Sequence, residues 1–300
     1  MNESSLSKID QQRVELATFC HDCDDMPRVD RAGETDGNGD EAIQIMHNGL
    51  RTYCGTHYGD YNVEVIRRLR GIHEPQEERV FHEVLKRLPN DAKMIELGSF
   101  WAYYSMWFLR EISNGKAVMV EPVPSALKAG QRNFELNGFL GDFIHAAISD
   151  QPSEAMDVEL WKGFTTHAPT ITVDSVMQSH SIKRLDILHA DIQGSEIKML
   201  SGAQQALSKK EIDWIFISTH SENIHQTCIN RLRSYGYHIV AEHTLGESYS
   251  IDGLIVASSQ KTQLPISISK NRSLHSMKAK VRSILRTRIL EPWGLRDRTI

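Results

Sequence analysis

The stretch Met94–Ser105 reads MIELGSFWAYYS, and VMVEP follows at Val118–Pro122. A short apolar strand ends in an acid and a glycine, and a helical pattern starts at once. That is the strand–turn–helix corner of an open α/β sheet. In such sheets ligands sit beyond the carboxyl ends of the strands, where helix N-termini point at them. Gly98 lets the backbone approach a ligand closely. Glu121 ends the second strand and can accept hydrogen bonds from the two hydroxyls of a ribose. The pair predicts a pocket for an adenosine-containing cofactor.

The rest of the chain extends the pattern. Strand-like runs fall at Lys93–Leu97, Ala117–Val120, Phe143–Ile148, Leu185–Ala190, Trp214–Thr219, Tyr237–Glu242 and Leu254–Ala257. Helical spacing covers Gln76–Leu88, Ala102–Ile112, Ser125–Asn137, a segment from Glu196, and Asn223–Tyr235. Pro89, Gly138 and Gly236 supply stops. Strands alternating with helices imply an α/β fold, a mainly parallel sheet with helices on both faces. Residues 72–260 form this domain. Residues 1–71 are an extension, expected to act as a lid or acceptor-binding element. Its first 40 or so residues read as weakly structured, with a glycine-rich loop at Arg31–Asp40.

Charge is unevenly spread. Residues 261–300 hold ten Lys or Arg and two acids, leaving 24 basic and 37 acidic residues before them. An acidic body opposes a phosphate backbone, so nucleic acid is not an expected partner. Ser273–Leu290 has the spacing of a basic amphipathic helix, either docked on the body or resting on an anionic membrane surface. No run approaches the ~18 apolar residues of a membrane span. The polar N-terminus lacks a signal-peptide apolar region, and a cytoplasmic location is expected. Of the four cysteines, Cys20 and Cys23 form a lone CxxC. A zinc site normally needs four ligands, so no metal is assigned there.

The turn itself discriminates between cofactors. Dinucleotides want G-x-G-x-x-G, and only Gly98 is present, followed by Ser99, Phe100, Trp101 and Ala102. This disfavours a nicotinamide-dependent oxidoreductase. S-adenosylmethionine carries no phosphate, and Glu96 suits its positively charged methionine end. EPQEERVFHEVLKRL, MIELGSFWAYYSMWF, VEPVPSALKAGQRNFELNG, ITVDSV and LDILHADIQGSEIKMLSGA then occur in this order. The series resembles the FkbM-type O-methyltransferases over residues 70–257. The resemblance implies a Rossmann-like class I methyltransferase fold with a seven-stranded sheet. It also implies S-adenosylmethionine as cofactor, S-adenosylhomocysteine as product, and a sugar hydroxyl in a glycan, glycolipid or secondary metabolite as acceptor.

Carried over to this chain, the resemblance puts Glu96, Gly98 and Ser99 on the methionine part of the cofactor. Glu121, with Pro122, would take the ribose, and Ala147, Ile148 and Ser149 the adenine. Asp191 and Gln193 would meet the reactive methyl. Tyr103 joins the cofactor set as a neighbour of the glycine turn, although its aromatic neighbours read as core. The family often has Asn at Phe100, usually Gly at Ala102 and often Glu at Gln193, which leaves room for an inactive binding module.

A hydroxyl needs its proton removed, so a base is expected. Asp191 and His220, both at strand ends, are the catalytic candidates. Asp191 could alternatively cap the following helix, and any one of 14 histidines could be structural. His73, Glu74 and Gln76 precede a helix and read as caps. An element like theirs in the family suggests that they approach the pocket, so His73 and Gln76 join Glu222 and His225 as acceptor-contacting candidates. A divalent metal held by Glu222, His225, His243 or Asp252 is a further option, but their spacing matches no ligand pattern.

Overall fold

The computed structural model describes residues 6–161, 164–262 and 264–271. The amphipathic helix expected over Ser273–Leu290, with its membrane contact, lies outside them. The described chain forms two compact units. The first takes residues 6–81, 246–251 and 268–271, and the second takes 82–245 and 252–267.

The first unit begins with helix α1 (Lys8–Thr18), followed by the antiparallel strands β1 (Thr35–Asp36), β2 (Ile43–Ile45) and β3 (Arg51–Tyr53). Helices α2 (Asp60–Arg68) and α3 (Pro75–Leu85) come next, and the division between units falls inside α3. The weak structure expected for the first 40 residues is corrected by α1. The Ser7 hydroxyl caps it by accepting from Asp10 N at 3.2 Å. Val14 and Ala17 pack with Val65 of α2. Two buried side chains on an otherwise polar helix give little periodic signal, so only the packing reveals it.

The second unit runs β4 (Lys93–Leu97), α4 (Tyr103–Glu111), β5 (Lys116–Glu121), α5 (Pro124–Asn137), β6 (Asp142–His145), β7 (Ala147–Ile148), β8 (Ser153–Trp161) and β9 (Phe164–Ile171). It continues with α6 (Val173–Ser179), β10 (Leu185–Ala190), α7 (Glu196–Gly202), α8 (Gln204–Ser208), β11 (Ile212–Thr219), α9 (Glu222–Ser234), β12 (His238–His243) and β13 (Gly253–Ser258). Seven strands form one sheet in the order β12-β13-β11-β10-β4-β5-β6. All pairs are parallel except those made by β13, which runs antiparallel to both neighbours. The strands are short apolar runs because both faces are covered. Ile95, Val118, Leu188, Ile215 and Ile255 lie in one continuous core. Each such side chain contributes about 1.5–3 kcal/mol by leaving water.

The single strand expected over Phe143–Ile148 is two. Ala146 separates β6, in the main sheet, from β7, which joins β9 and β8 in a small second sheet. The sequence gives no sign of strand β8, because residues 153–157 are all exposed and show no core-facing pattern.

Candidate active site

The register brings four strand ends together. Ala190 of β10 pairs with Leu97 of β4 on one side and Ile217 of β11 on the other, and Leu97 pairs with Val120 of β5. The chain order reverses on the two sides of β4, which makes this edge the topological switch point where open α/β sheets bind ligands. Thr219 pairs with Gly253, so the antiparallel β13 starts at the same edge and brings Asp252 to it.

Gly98 has φ +70°, and a Cβ there would lie 1.8 Å from the Asp191 carbonyl oxygen. No other residue fits between the loops after β4 and β10. Phe100 and Ala102 also have positive φ, at 41° and 58°. These are the two positions where the chain departs from the usual Asn and Gly of the resembling family. Asn and Gly adopt this left-handed region more readily than Phe or Ala. The surroundings hold the strained turn. Phe100 N donates to Glu121 Oε2 at 3.1 Å, Ala102 N to Ser99 O at 2.6 Å, and Asn133 Nδ2 to Trp101 O at 3.1 Å. At Gly130 a Cβ would stand 2.7 Å from Phe100 O, so α5 packs directly on the turn. Gly130 and Asn133 escaped the sequence reading. Their signal was a glycine inside a helical pattern with Asn three residues on, on the same face.

Ser99 Oγ is buried and has no partner among the described residues. Buried hydroxyls are normally bonded, so this one fits a ligand group at the turn. Glu121 is also buried, and its Oε1 accepts from Val123 N at 2.9 Å. Burial pushes its carboxyl up to about 7, although the two backbone N–H groups favour the charged form. Each oxygen keeps a second lone pair for a ribose hydroxyl. Glu96 has a different task from the one expected. Its Oε2 accepts from Ser105 N at 3.1 Å in the first turn of α4, where a helix N-terminus favours an acid. Burial holds its carboxyl above the ordinary range.

Tyr103 is corrected to a core residue. It is 1% exposed and stacks on Trp101 with ring centroids 5.2 Å apart. Pro122 O accepts from His145 Nε2 at 2.9 Å and Thr166 Oγ1 at 3.1 Å, which fixes the end of β5. Ile148 is buried in β7, and Ser149 N donates to Ile171 O at 2.9 Å.

Asp191 follows β10. Its Oδ1 accepts from Gln193 Nε2 at 2.9 Å and lies 3.2 Å from His220 Nε2. Gln193 itself has φ +50°, which turns the loop back toward Asp191. The opposite ring nitrogen of His220, Nδ1, sits 2.6 Å from Glu196 Oε1. Asp252 Oδ1 is 3.5 Å from His220 Nε2. Burial opposes a charged ring, but Asp252, Asp191 and Glu196 outweigh it and raise the His220 pKa well above its ordinary value. Burial likewise opposes the Asp191 charge, and His220 outweighs it, so Asp191 titrates below its ordinary value. Three carboxylates facing the ring favour its protonated form, which counts against His220 as the base. In the sequence Glu196 marks only the start of a helix.

Of the acceptor-side candidates, Glu222 and His225 belong to the second unit. Glu222 is exposed on the first turn of α9. His225 is buried, with Nδ1 2.8 Å from Thr219 Oγ1 and Nε2 3.5 Å from Glu242 Oε2, so both its ring nitrogens face protein groups. His73 and Gln76 belong to the first unit. There His73 Nδ1 meets Glu78 Oε1 at 2.7 Å. Gln76 bonds Ser269 O at 2.7 Å and Tyr249 N at 2.9 Å, tying three chain segments together. Among the described residues, no group of three or more His, Cys, Asp or Glu is arranged to hold a metal ion.

A seven-stranded sheet with one antiparallel strand, a ligand edge at its switch point and a glycine turn facing an acid define a Rossmann-like class I methyltransferase domain. Residues 54–239 match the Methyltransferase FkbM domain. The chain belongs to that family and is an S-adenosylmethionine-dependent methyltransferase. No curated protein matches it. Among solved structures, the METTL16 MTase domain is 12% identical, with 83% of this chain and 92% of that one covered and a TM-score of 0.45. M. capricolum TrmK, in complex with S-adenosyl-homocysteine, is 14% identical, with 67% and 73% covered and a TM-score of 0.40. The precorrin-6y C5,15-methyltransferase of Geobacter metallireducens is 14% identical, with 60% and 88% covered and a TM-score of 0.41. No helix among the described residues is long and apolar enough to cross a membrane.

Proposed function

We propose that the protein transfers a methyl group to a hydroxyl, in a sugar of a glycan, glycolipid or secondary metabolite. The observation that carries this reading is the Asp191 carboxylate beside the Gly98–Ser99 turn, with its Oδ1 3.2 Å from His220 Nε2. When bound, S-adenosylmethionine supplies an electrophilic methyl group on a sulfonium. Glu121 accepts from the ribose hydroxyls. The Ser99 hydroxyl and the turn bind the methionine side, while Ile148 and Ser149 flank the adenine. Asp191 accepts the hydrogen bond of the acceptor hydroxyl, orients its oxygen, and takes the proton as that oxygen becomes alkylated. A carboxylate of low pKa is a modest base, so alignment of the acceptor supplies much of the rate.

Acceptors that are neutral or cationic suit this edge better than anionic ones, because Asp191 and Asp252 face it with one imidazolium between them. All four cysteines are free and buried, in keeping with a cytoplasmic setting. Calorimetric titration with S-adenosylhomocysteine tests the cofactor half. Binding to the wild type that weakens on Glu121→Ala is expected. Equal binding by the two proteins would sink the assignment. Methyl incorporation from labelled S-adenosylmethionine into glycan and lipid extracts tests the acceptor half.

A further inference from the structure

Glu196 opens α7 and is fully buried. Removing a carboxylate from water costs several kcal/mol unless it is paired, so the position asks for a partner. A single oxygen, Oε1, accepts from Gly194 N at 3.0 Å and meets His220 Nδ1 at 2.6 Å. This atom joins the loop that carries Asp191 and Gln193 to the loop after β11. A ring fixed at one nitrogen has its other nitrogen aimed. Here the aimed nitrogen is Nε2, 3.2 Å from Asp191 Oδ1.

Resting on the methyl-transfer reading, we propose that Glu196 is a positioning residue, holding the His220 ring edge-on to Asp191 so that this carboxylate stays in place for the acceptor hydroxyl. The charged groups facing the ring are Asp191 from the loop after β10, Glu196 from α7 and Asp252 from the start of β13. With three carboxylates around it, the ring keeps its proton through the neutral range although burial works against the charge. A protonated imidazole takes no second proton. It returns a positive charge to Asp191 and leaves that carboxylate as the proton acceptor. The roles are the reverse of a serine-hydrolase triad, in which a carboxylate orients a histidine base.

Glu196→Gln isolates the charge, since the amide oxygen can still accept from Gly194 N and His220 Nδ1. Glu196→Ala removes the bonds as well. Full-length protein with isotope-labelled histidine is titrated by NMR, the His220 signals being those lost in His220→Asn. The expected result is a wild-type His220 that stays protonated through the neutral range and releases its proton at lower pH in Glu196→Gln. Asp252→Asn should move it the same way, a check should either variant fold poorly. A Glu196→Gln titration that overlays the wild type, or a wild-type ring that is neutral at neutral pH, overturns the proposal. In methyl-transfer assays with a glycan extract, the alkaline limb of the rate profile should move to lower pH in Glu196→Gln; a uniform loss of rate with no shift of that limb reduces Glu196 to a packing role. S-adenosylhomocysteine titration of the same samples separates the two readings, because wild type that fails to bind it defeats the methyl-transfer reading while the NMR result still decides the clamp.

Discussion

Each unit holds a histidine caught among carboxylates, and the two clusters differ in where the fold places them. In the first unit His73 Nδ1 lies 2.7 Å from Glu78 Oε1, and its Nε2 lies 3.3 Å from Glu74 Oε2. Glu78 Oε1 also accepts from the backbone N–H of His73 and Glu74 at 2.7 and 3.0 Å, and its Oε2 is 4.0 Å from His47 Nε2. Burial works against the His73 charge, but Glu78 and Glu74 outweigh it and push the ring up to about 10. In the second unit Asp191, Glu196 and Asp252 raise His220 in the same sense. The electrostatics match, and so does the burial: Glu78 and Glu196 are fully buried, while Glu74, Asp191 and Asp252 are 29%, 22% and 18% exposed. A perturbed pKa therefore does not by itself mark a site. A perturbed pair with one carboxylate open to a ligand, at the switch-point edge of a parallel sheet, does.

The sharpest way to break the contrast is Asp191→Asn. Methyl transfer should fall by about 10²–10⁴-fold, the range for loss of a proton acceptor. Initial rates with labelled methyl donor measure it, and a near-wild-type rate would move the base elsewhere. Glu78→Ala should act on stability instead. Leaving His73 buried without its main partner costs about 3–5 kcal/mol, read from urea unfolding. The sign with pH follows from a folded value above the ordinary ~6.5 of histidine. The contribution of His73 is complete below that ordinary value and is lost as pH rises toward about 10. Glu78→Gln should flatten that alkaline decline.

Glu121 offers a finer test, since its carboxyl titrates near 7. If ribose binds the ionised form, affinity for S-adenosylhomocysteine should weaken about tenfold per pH unit below that value and level off above it. Glu121→Gln should remove the slope, and titrations at several pH values decide. The smallest effect is at Ala102, held at φ 58°. Ala102→Gly should stabilise the protein by about 0.5–1 kcal/mol, the relief of left-handed strain less the added freedom of the unfolded chain. Destabilisation on thermal melting would mean that the methyl group packs better than the strain costs.

Part of the site was legible because its signals are local. The apolar run into Glu96 and Gly98, the acid ending β5 and the Asp191–Gly194 turn each lie within a few residues of chain, and strand or turn geometry follows from such neighbours. The departures at Phe100 and Ala102 from the residues of the resembling family were visible too, but their left-handed backbone was not. The role of His220 was not legible. Its position at the end of β11 could be read, but its electrostatics depend on Glu196 and Asp252, which lie 24 positions earlier and 32 positions later in the chain. The partners of His225 and Gln76 were not legible either. Each is a polar residue near an element boundary, and each turns out to be spent on holding protein to protein.

The sequence by itself determined the alternation of strands and helices, the parallel sheet and the glycine-poor turn suited to S-adenosylmethionine, because period and turn chemistry act between adjacent residues. Only the tertiary structure decided which acids surround which histidine. The antiparallel insertion of β13 brings Asp252 to the ligand edge, and the packing of α7 buries Glu196 against His220. Charge interactions are strong where water is excluded and depend on distances of a few ångströms. Those distances are fixed by strand register and helix packing and are not set by separation along the chain.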